Sequence, residues 1–373
     1  MRVLHVLPTR DASYGGPVAV VNEYVRELAK QGVDADVFPD DGTRTWRRFF
    51  YFPGASSLKK LIDSISGYDL IHIHGLWYAA SALAARAAGA RGIPYLITPH
   101  GMLDQWALKR GRLRKKIYYI LVERHNLRRA ASVHMFNISE YEASKKALGD
   151  VRPFILPNGV DVSKYQDFPD KTGLESLLPQ VRAKILLLFL GRINYKKGLD
   201  VLIPAFRRAR SLNHGLHLII AGPDDGYLEH LKKLIEQHAL GDYVTLTGMV
   251  SGILKQQILA AAKIFILTSY QEGDPMALKE AMAAGLPGII SSACNFPEAE
   301  EHDCGVIVPH DPGAVAEAIL RLASDRQRLQ AMGERAKSLM RARYTWAAIT
   351  AELVAHYRSL LRFEHPGFVG TAK

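Results

Sequence analysis

Short apolar runs alternate along the chain with longer stretches whose apolar positions recur at helical spacing. A first series reads RVLHVLP, DADVFP, LIHIHG, PYLITPH and ASVHMFN; a second reads KILLLFLGR, LHLIIAGP, VTLTGMV, KIFILTS, GIISS and GVIVP. Nearly continuous apolar runs of this length suit parallel strands covered on both faces. Their alternation with helices predicts βαβ units, hence an α/β fold with two doubly wound parallel sheets. Between the series, LPNGVDVSKYQDFPDKTG carries turn dipeptides and no clear period, which places a hinge there. The predicted domains are residues 1–165 and 175–344, followed by a last helix within 345–373 that has Thr345 as N-cap.

Length and composition agree with this picture. At 373 residues the chain is long enough for two cores with a cleft between them. Apolar residues make up 48% and charged residues 23%, and no uninterrupted apolar stretch approaches the roughly 20 residues that span a bilayer. MRVLHVLPTR reads as a first strand rather than a leader, because Pro8 and Arg10 interrupt its apolar run. Cys294 and Cys304 fit neither a disulfide framework nor a zinc site, which makes a reducing cytoplasm the expected setting. A formal charge of +11 favours an anionic partner.

In doubly wound sheets ligands bind beyond the carboxyl ends of the strands, and the loops there hold nearly every unusual residue. SYQEGDPMALKEAMAAGLPGI puts Glu272 in such a loop and Glu280 inside the following helix, with Asp274 expected as its cap, Pro275 as its first residue and Gly285 at its end. Gly273 allows close backbone approach, and the helix start offers N–H groups to oxygen atoms. GRINYKKG follows a strand directly, so Arg192 and Lys197 are placed to neutralise a diphosphate. Gly15 and Gly16 in GGP allow an anion near a helix N-terminus, and His100 in TPHG can donate to a sugar hydroxyl. Asp224 and Asp225 in GPDDG invite a metal reading, but helix-capping aspartates in a βα loop explain them better. His72 and His74 share one strand face with no third ligand evident, and read as structural.

Taken in order, GGP, TPHG, LPNGVD, GRINYKKG, AGPDDGYLEHL, LTGMV and SYQEGDPMALKEAMAAGLPGI resemble the retaining glycosyltransferases of family 4, which have the GT-B fold of two Rossmann-like domains facing a cleft. The resemblance implies a metal-independent hexosyltransferase whose substrate is a nucleoside-diphosphate sugar, with no further cofactor. It implies that Arg192 and Lys197 bind the diphosphate and that Glu280 contacts the ribose hydroxyls. Glu272 and His100 would lie by the donor sugar, Gly15 and Gly16 near the phosphates and acceptor, and Gly248, Met249 and Val250 by the base. Gly273, Asp274, Pro275, Met276 and Ala277 would complete the donor site, and the last helix would pack back on the first domain. The chain departs from the family in reading EGDP where many members have EGFG.

LKRGRLRKKIYYILVERHNLRR combines cations with apolar residues. Its segment Lys109 to Lys116 could face an anionic membrane surface, with Trp106, Tyr118 and Tyr119 at headgroup level. The expected acceptor is a glycan or a polyprenyl-linked sugar, and the expected location is the cytoplasm, peripheral on the inner face of the membrane. Two alternatives stand beside transfer. A GT-B sugar-nucleotide epimerase is the nearer one. A basic nucleic-acid-binding protein is the other, although no binding module is recognisable and no nucleic-acid partner is expected.

Overall fold

The computed structural model of the chain describes residues 1–10, 16–39, 55–103, 112–168 and 172–362. It divides into two units, Met1–Gly159 with Trp346–Lys373, and Val160–Thr345. Both units are built on parallel six-stranded sheets with helices between the strands.

The first sheet contains β1 (Arg2–Val6), β2 (Asp34–Phe38), β3 (Leu70–His74), β4 (Tyr95–Thr98), β5 (Ser132–Met135) and β6 (Pro153–Ile155), in the order β2-β1-β3-β4-β5-β6. Five of these follow the apolar runs. The sixth has no run to announce it: β6 is three residues long and opens on Pro153, which an edge position tolerates because its missing N–H is not needed there. The helix Trp346–Arg362 belongs to this unit, burying Trp346, Ile349, Leu353, Val354 and Tyr357. Trp346 fits because Gly159 carries no side chain; a Cβ there would lie 2.7 Å from the Trp346 Cα.

The second sheet contains β7 (Ile185–Leu190), β8 (Leu216–Ala221), β9 (Val244–Gly248), β10 (Ile264–Leu267), β11 (Gly288–Ser291) and β12 (Gly305–Val308), in the order β12-β11-β10-β7-β8-β9. Its central strands are buried on both faces, with Leu187, Leu188, Phe189, Ile264, Phe265 and Ile266 fully enclosed. Each such side chain contributes roughly 1.5–3 kcal/mol, which explains runs without polar alternation.

The unit boundary differs from the sequence reading. Val160 and Tyr165 are buried in the core of the second unit, and the short turn Val162–Tyr165 is capped by Asp161, whose carboxylate accepts from the Ser163 N–H at 3.2 Å. The boundary between Gly159 and Val160 falls inside the stretch read as a hinge, but from Val160 to Phe168 that stretch packs against the second core, so residues 160–165 leave the first domain.

Candidate active site

Chain order reverses in the second sheet between β7 and β10, and the crevice beyond their carboxyl ends is the expected ligand position. The loops that follow these two strands are GRINYKKG and TSYQEGDP. They meet through an ion pair: Lys197 Nζ donates to Glu272 Oε1 at 2.6 Å, with side-chain exposures of only 20% and 11%. Gly198 lets the first loop pass so close. Its φ is +64°, and a Cβ would come 1.9 Å from the Thr268 carbonyl oxygen.

The second loop is held at several points. Glu272 Oε1 also accepts from Ser269 Oγ at 2.5 Å, the Glu272 N–H donates to Ala293 O, and Asn295 Nδ2 donates to Glu272 O at 2.9 Å. Ser269 O accepts from both Ser291 Oγ and His310 Nε2. Tyr270 stacks between Tyr195 and His310, at ring separations of 5.4 and 4.8 Å, and donates its hydroxyl to Asp200. Burial and that carboxylate push the Tyr270 phenol well above its ordinary range, so it remains a donor. A carboxylate held this rigidly presents one geometry to a ligand.

Arg192 is two-thirds exposed, and its Nη1 donates to Asp225 Oδ2 at 2.8 Å, an oxygen that Asn194 Nδ2 also reaches. Asp224 Oδ1 accepts from the N–H groups of Gly226, Tyr227 and Leu228 at the start of helix Leu228–Gln237. The Leu228 N–H does most to hold its carboxyl below the ordinary range, which is capping geometry. Glu280, within helix Met276–Ala283, pairs with Lys255 at 2.8 Å and accepts a hydrogen bond from Tyr165. Gly248 ends β9 in left-handed backbone, φ +68°, followed by Met249 at 77% exposure and by Val250 against the core.

Comparison with known proteins decides what this arrangement belongs to. Residues 178–339 match the family of glycosyl transferases group 1, and residues 14–164 match Glycosyltransferase Family 4. The chain is a family 4 glycosyltransferase. It is 28% identical to the GDP-mannose-dependent alpha-(1-6)-phosphatidylinositol monomannoside mannosyltransferase of Mycobacterium tuberculosis, over 96% of this chain and 98% of that one. It is 26% identical to the GDP-mannose:cellobiosyl-diphosphopolyprenol alpha-mannosyltransferase of Xanthomonas oryzae, over 97% of each. In fold it is similar to the Anabaena protein HepE in complex with UDP and glucose, with TM-score 0.79, 19% identity and coverage of 96% of this chain and 100% of that one. Sucrose-phosphate synthase from Thermosynechococcus elongatus superposes with TM-score 0.75 at 22% identity, over 96% and 99%. The GT-B fold and hexosyltransferase activity follow from these likenesses together.

Two sequence expectations for the transferase need correction. Pro275, not Asp274, occupies the cap position of the helix, which begins at Met276. The Asp274 carboxylate turns into the core, 2.5 Å from Lys279 Nζ, with exposures of 6% and 0%, and that ammonium also lies 4.8 Å from the centroid of the Tyr344 ring. Tyr118 and Tyr119 are likewise turned inward: Tyr118 packs on Trp77, and Tyr119 donates its hydroxyl to Ala147 O. Lys115 is buried over the Trp77 ring. Among the described residues of this segment, the exposed large apolar groups are Ile117, Ile120 and Leu121, with Lys116, Arg124 and Arg128 exposed among them. Trp106, Lys109, Arg110 and Gly15 lie outside the described residues, and Gly16 opens helix Gly16–Lys30 with no atom within 4 Å of a built Cβ.

In the first unit, His100 follows β4 with φ +52°, a strained backbone for a residue with a side chain. His5 joins His72 and His74 as the third imidazole that the sequence did not disclose, with ligand nitrogens all within 4.8 Å of one another. The spacing argues against a shared ion. His5 Nδ1 and His74 Nε2 are 2.9 Å apart, an N–H···N distance, whereas two nitrogens on a tetrahedral zinc sit about 3.3 Å apart. Both nitrogens of His72 are engaged by Tyr357 and Thr98. Asp225, Lys255 and Asn295 also escaped the sequence reading as site residues, since each acts on a partner distant in sequence; Ser269 escaped although Glu272 is only three residues on.

Proposed function

We propose that the transferase moves mannose from GDP-mannose to a lipid-linked acceptor, in glycolipid or polysaccharide synthesis at the cell envelope, without a metal ion and with retention of anomeric configuration. The ion pair of Lys197 and Glu272 at the strand crossover carries this reading, because it brings a phosphate-binding cation and a hydroxyl-binding carboxylate to one point. The names of the M. tuberculosis and X. oryzae relatives supply the donor and the acceptor class.

The chemistry follows from the charges. Breaking the sugar–phosphate bond leaves negative charge on the nucleoside diphosphate and positive character on the sugar. Arg192 and Lys197 exchange their carboxylate partners for the diphosphate oxygens and stabilise the leaving group. Glu272, fixed by Ser269, offers its remaining lone pairs to the sugar hydroxyls, and His100 in the first unit is read as a donor to a sugar hydroxyl. Glu280 receives the ribose hydroxyls, and the backbone from Gly248 to Val250 receives the base, with exposed Met249 as its apolar support. The helix start behind Gly273, where Pro275 is the cap and the Ala277 N–H lies in the first turn, favours oxygen anions. The acceptor attacks the face that the diphosphate leaves, and a phosphate oxygen takes the acceptor's proton.

A lipid-linked acceptor calls for a membrane surface. The exposed Ile117, Ile120 and Leu121 with neighbouring Lys116, Arg124 and Arg128 suit an anionic leaflet, and seat the enzyme peripherally on its cytoplasmic side. No described helix is long and apolar enough to cross a membrane. Labelled GDP-mannose, EDTA and either phosphatidylinositol-linked or polyprenyl-diphosphate-linked acceptor should yield labelled lipid only when acceptor is present. Loss of the donor to an epimer without acceptor would contradict transfer.

A further inference from the structure

The first unit buries a seam of imidazoles under its last helix. His5 on β1, His72 and His74 on β3, Thr98 on β4 and His134 on β5 are all buried, and half-buried His100 adjoins them. Burial holds these imidazoles neutral: His5 and His100 fall to about 3, His134 to about 4, and His72 and His74 well below the ordinary value. Each ring therefore has one N–H and one bare nitrogen, which makes the direction of every hydrogen bond a matter of bookkeeping.

One chain is fixed from its end. Leu156 O can only accept, so His134 donates to it through Nε2, at 2.7 Å, and its Nδ1 is bare. Thr98 must then donate to His134 Nδ1 at 3.0 Å, and having spent its one hydrogen it accepts from His72 Nε2 at 2.7 Å. His72 Nδ1 is bare in turn and accepts from the Tyr357 hydroxyl at 2.6 Å.

The second chain runs from His5 to His100. His5 Nδ1 meets His74 Nε2 at 2.9 Å, and His74 Nδ1 meets His100 Nε2 at 3.1 Å. It can be protonated in only two consistent ways. In one, each ring donates toward His100, and the buried His5 Nε2 is a bare lone pair. In the other, each ring donates toward His5, and the buried His5 Nε2 is an N–H. His5 Nε2 has no partner among the described residues. An orphaned buried N–H is rarer than an under-satisfied acceptor, which selects the first arrangement.

We propose that His5 and His74 are positioning residues that fix the tautomer of His100, leaving Nε2 bare toward His74 and Nδ1 protonated as the donor offered to substrate. The role of that donor rests on the sugar-binding reading of His100; the tautomer does not. His5 Nδ1–H fills His74 Nε2, His74 can then donate only through Nδ1, and a proton on His100 Nε2 would oppose that N–H directly.

Imidazole 15N–1H correlation on histidine-labelled enzyme without ligand tests it. The wild type should give a single His100 tautomer, protonated at Nδ1, at pH 7 and unchanged at pH 5.5. In His74→Phe or His5→Phe a second, Nε2-protonated population should emerge. A wild-type His100 protonated at Nε2 overturns the proposal, as does a Nδ1-protonated His100 that neither substitution affects. The wild-type spectrum decides even if a variant fails to fold. If the tautomers behave as proposed but His74→Phe transfers sugar at the wild-type rate rather than about tenfold more slowly, the sugar-binding reading of His100 fails and the relay stands.

Discussion

Lys197 Nζ lies 2.6 Å from Glu272 Oε1, across 75 residues of sequence. The cation that we propose for the donor's phosphates and the carboxylate that we propose for its sugar thus neutralise each other. Both side chains are little exposed, and neither has to be desolvated anew when the donor arrives.

Replacing Glu272 by Gln keeps the shape of the loop and releases Lys197. Binding of GDP alone should hold or strengthen by up to about fivefold, while sugar transfer falls by about a hundredfold or more. Calorimetry with GDP beside steady-state rates reads both; a parallel loss of GDP binding and transfer would mean that Glu272 serves only to hold Lys197.

Arg192 is held by Asp225 in the same manner but in far greater exposure. Asp225→Asn should therefore change GDP affinity by less than about 1 kcal/mol, and in the tighter direction. The gain should shrink between 50 mM and 500 mM salt, because exposed charge is screened.

The buried pair Asp274 and Lys279 predicts a cost in stability rather than in chemistry. Lys279→Met removes the ammonium facing a carboxylate that is only 6% exposed. Losing one partner of such a pair costs about 3–5 kcal/mol, and calorimetry should find the second unit's transition lowered by at least about 6 °C. Asp274→Leu combined with Lys279→Met should restore most of it.

Acid should act on the first unit. Burial lowers the affinity for protons of His5, His72, His74, His100, His134 and His356, the last to about 4. Below pH 6.5 the unfolded chain takes up protons that the folded unit refuses, so this stability is complete above pH 6.5 and is lost as pH falls toward 4. Each histidine contributes up to about 1.4 kcal/mol per pH unit. Glu123, raised by burial to about 7, works in the opposite direction as one group against six. All four tryptophans, Trp46, Trp77, Trp106 and Trp346, belong to this unit, so their fluorescence in urea should report a midpoint that falls steeply between pH 6.5 and 4.

Much of this was legible in the sequence because it is local. A run such as ILLLFL can only be a doubly covered strand, and a strand end followed by GRINYKKG or QEGDP points to a ligand. What escaped was set by distance along the chain. The sequence could not tell that Asp225 would reach Arg192 or that Lys255 would reach Glu280. The Asp274 carboxylate was read as a cap because its burial depends on Lys279 and Tyr344, not on its neighbours. Tyr118 and Tyr119 resembled a membrane anchor until Trp77 and Ala147 claimed them. His72 and His74 were placed on their shared face, but His5, Thr98, His134 and Tyr357 reach them from other strands and the last helix.

The central claim is a nucleoside-diphosphate site in the second unit that Glu280 and Lys197 complete. Its most direct test is calorimetric titration of GDP, GDP-mannose, UDP and UDP-glucose into wild type, Glu280→Ala and Lys197→Ala, all in EDTA. The account predicts selective binding of one nucleotide series by the wild type, with GDP favoured, weakened about 10- to 150-fold in each variant, the worth of a charged hydrogen bond. Equal affinity in all three proteins, or binding abolished by EDTA, would contradict it.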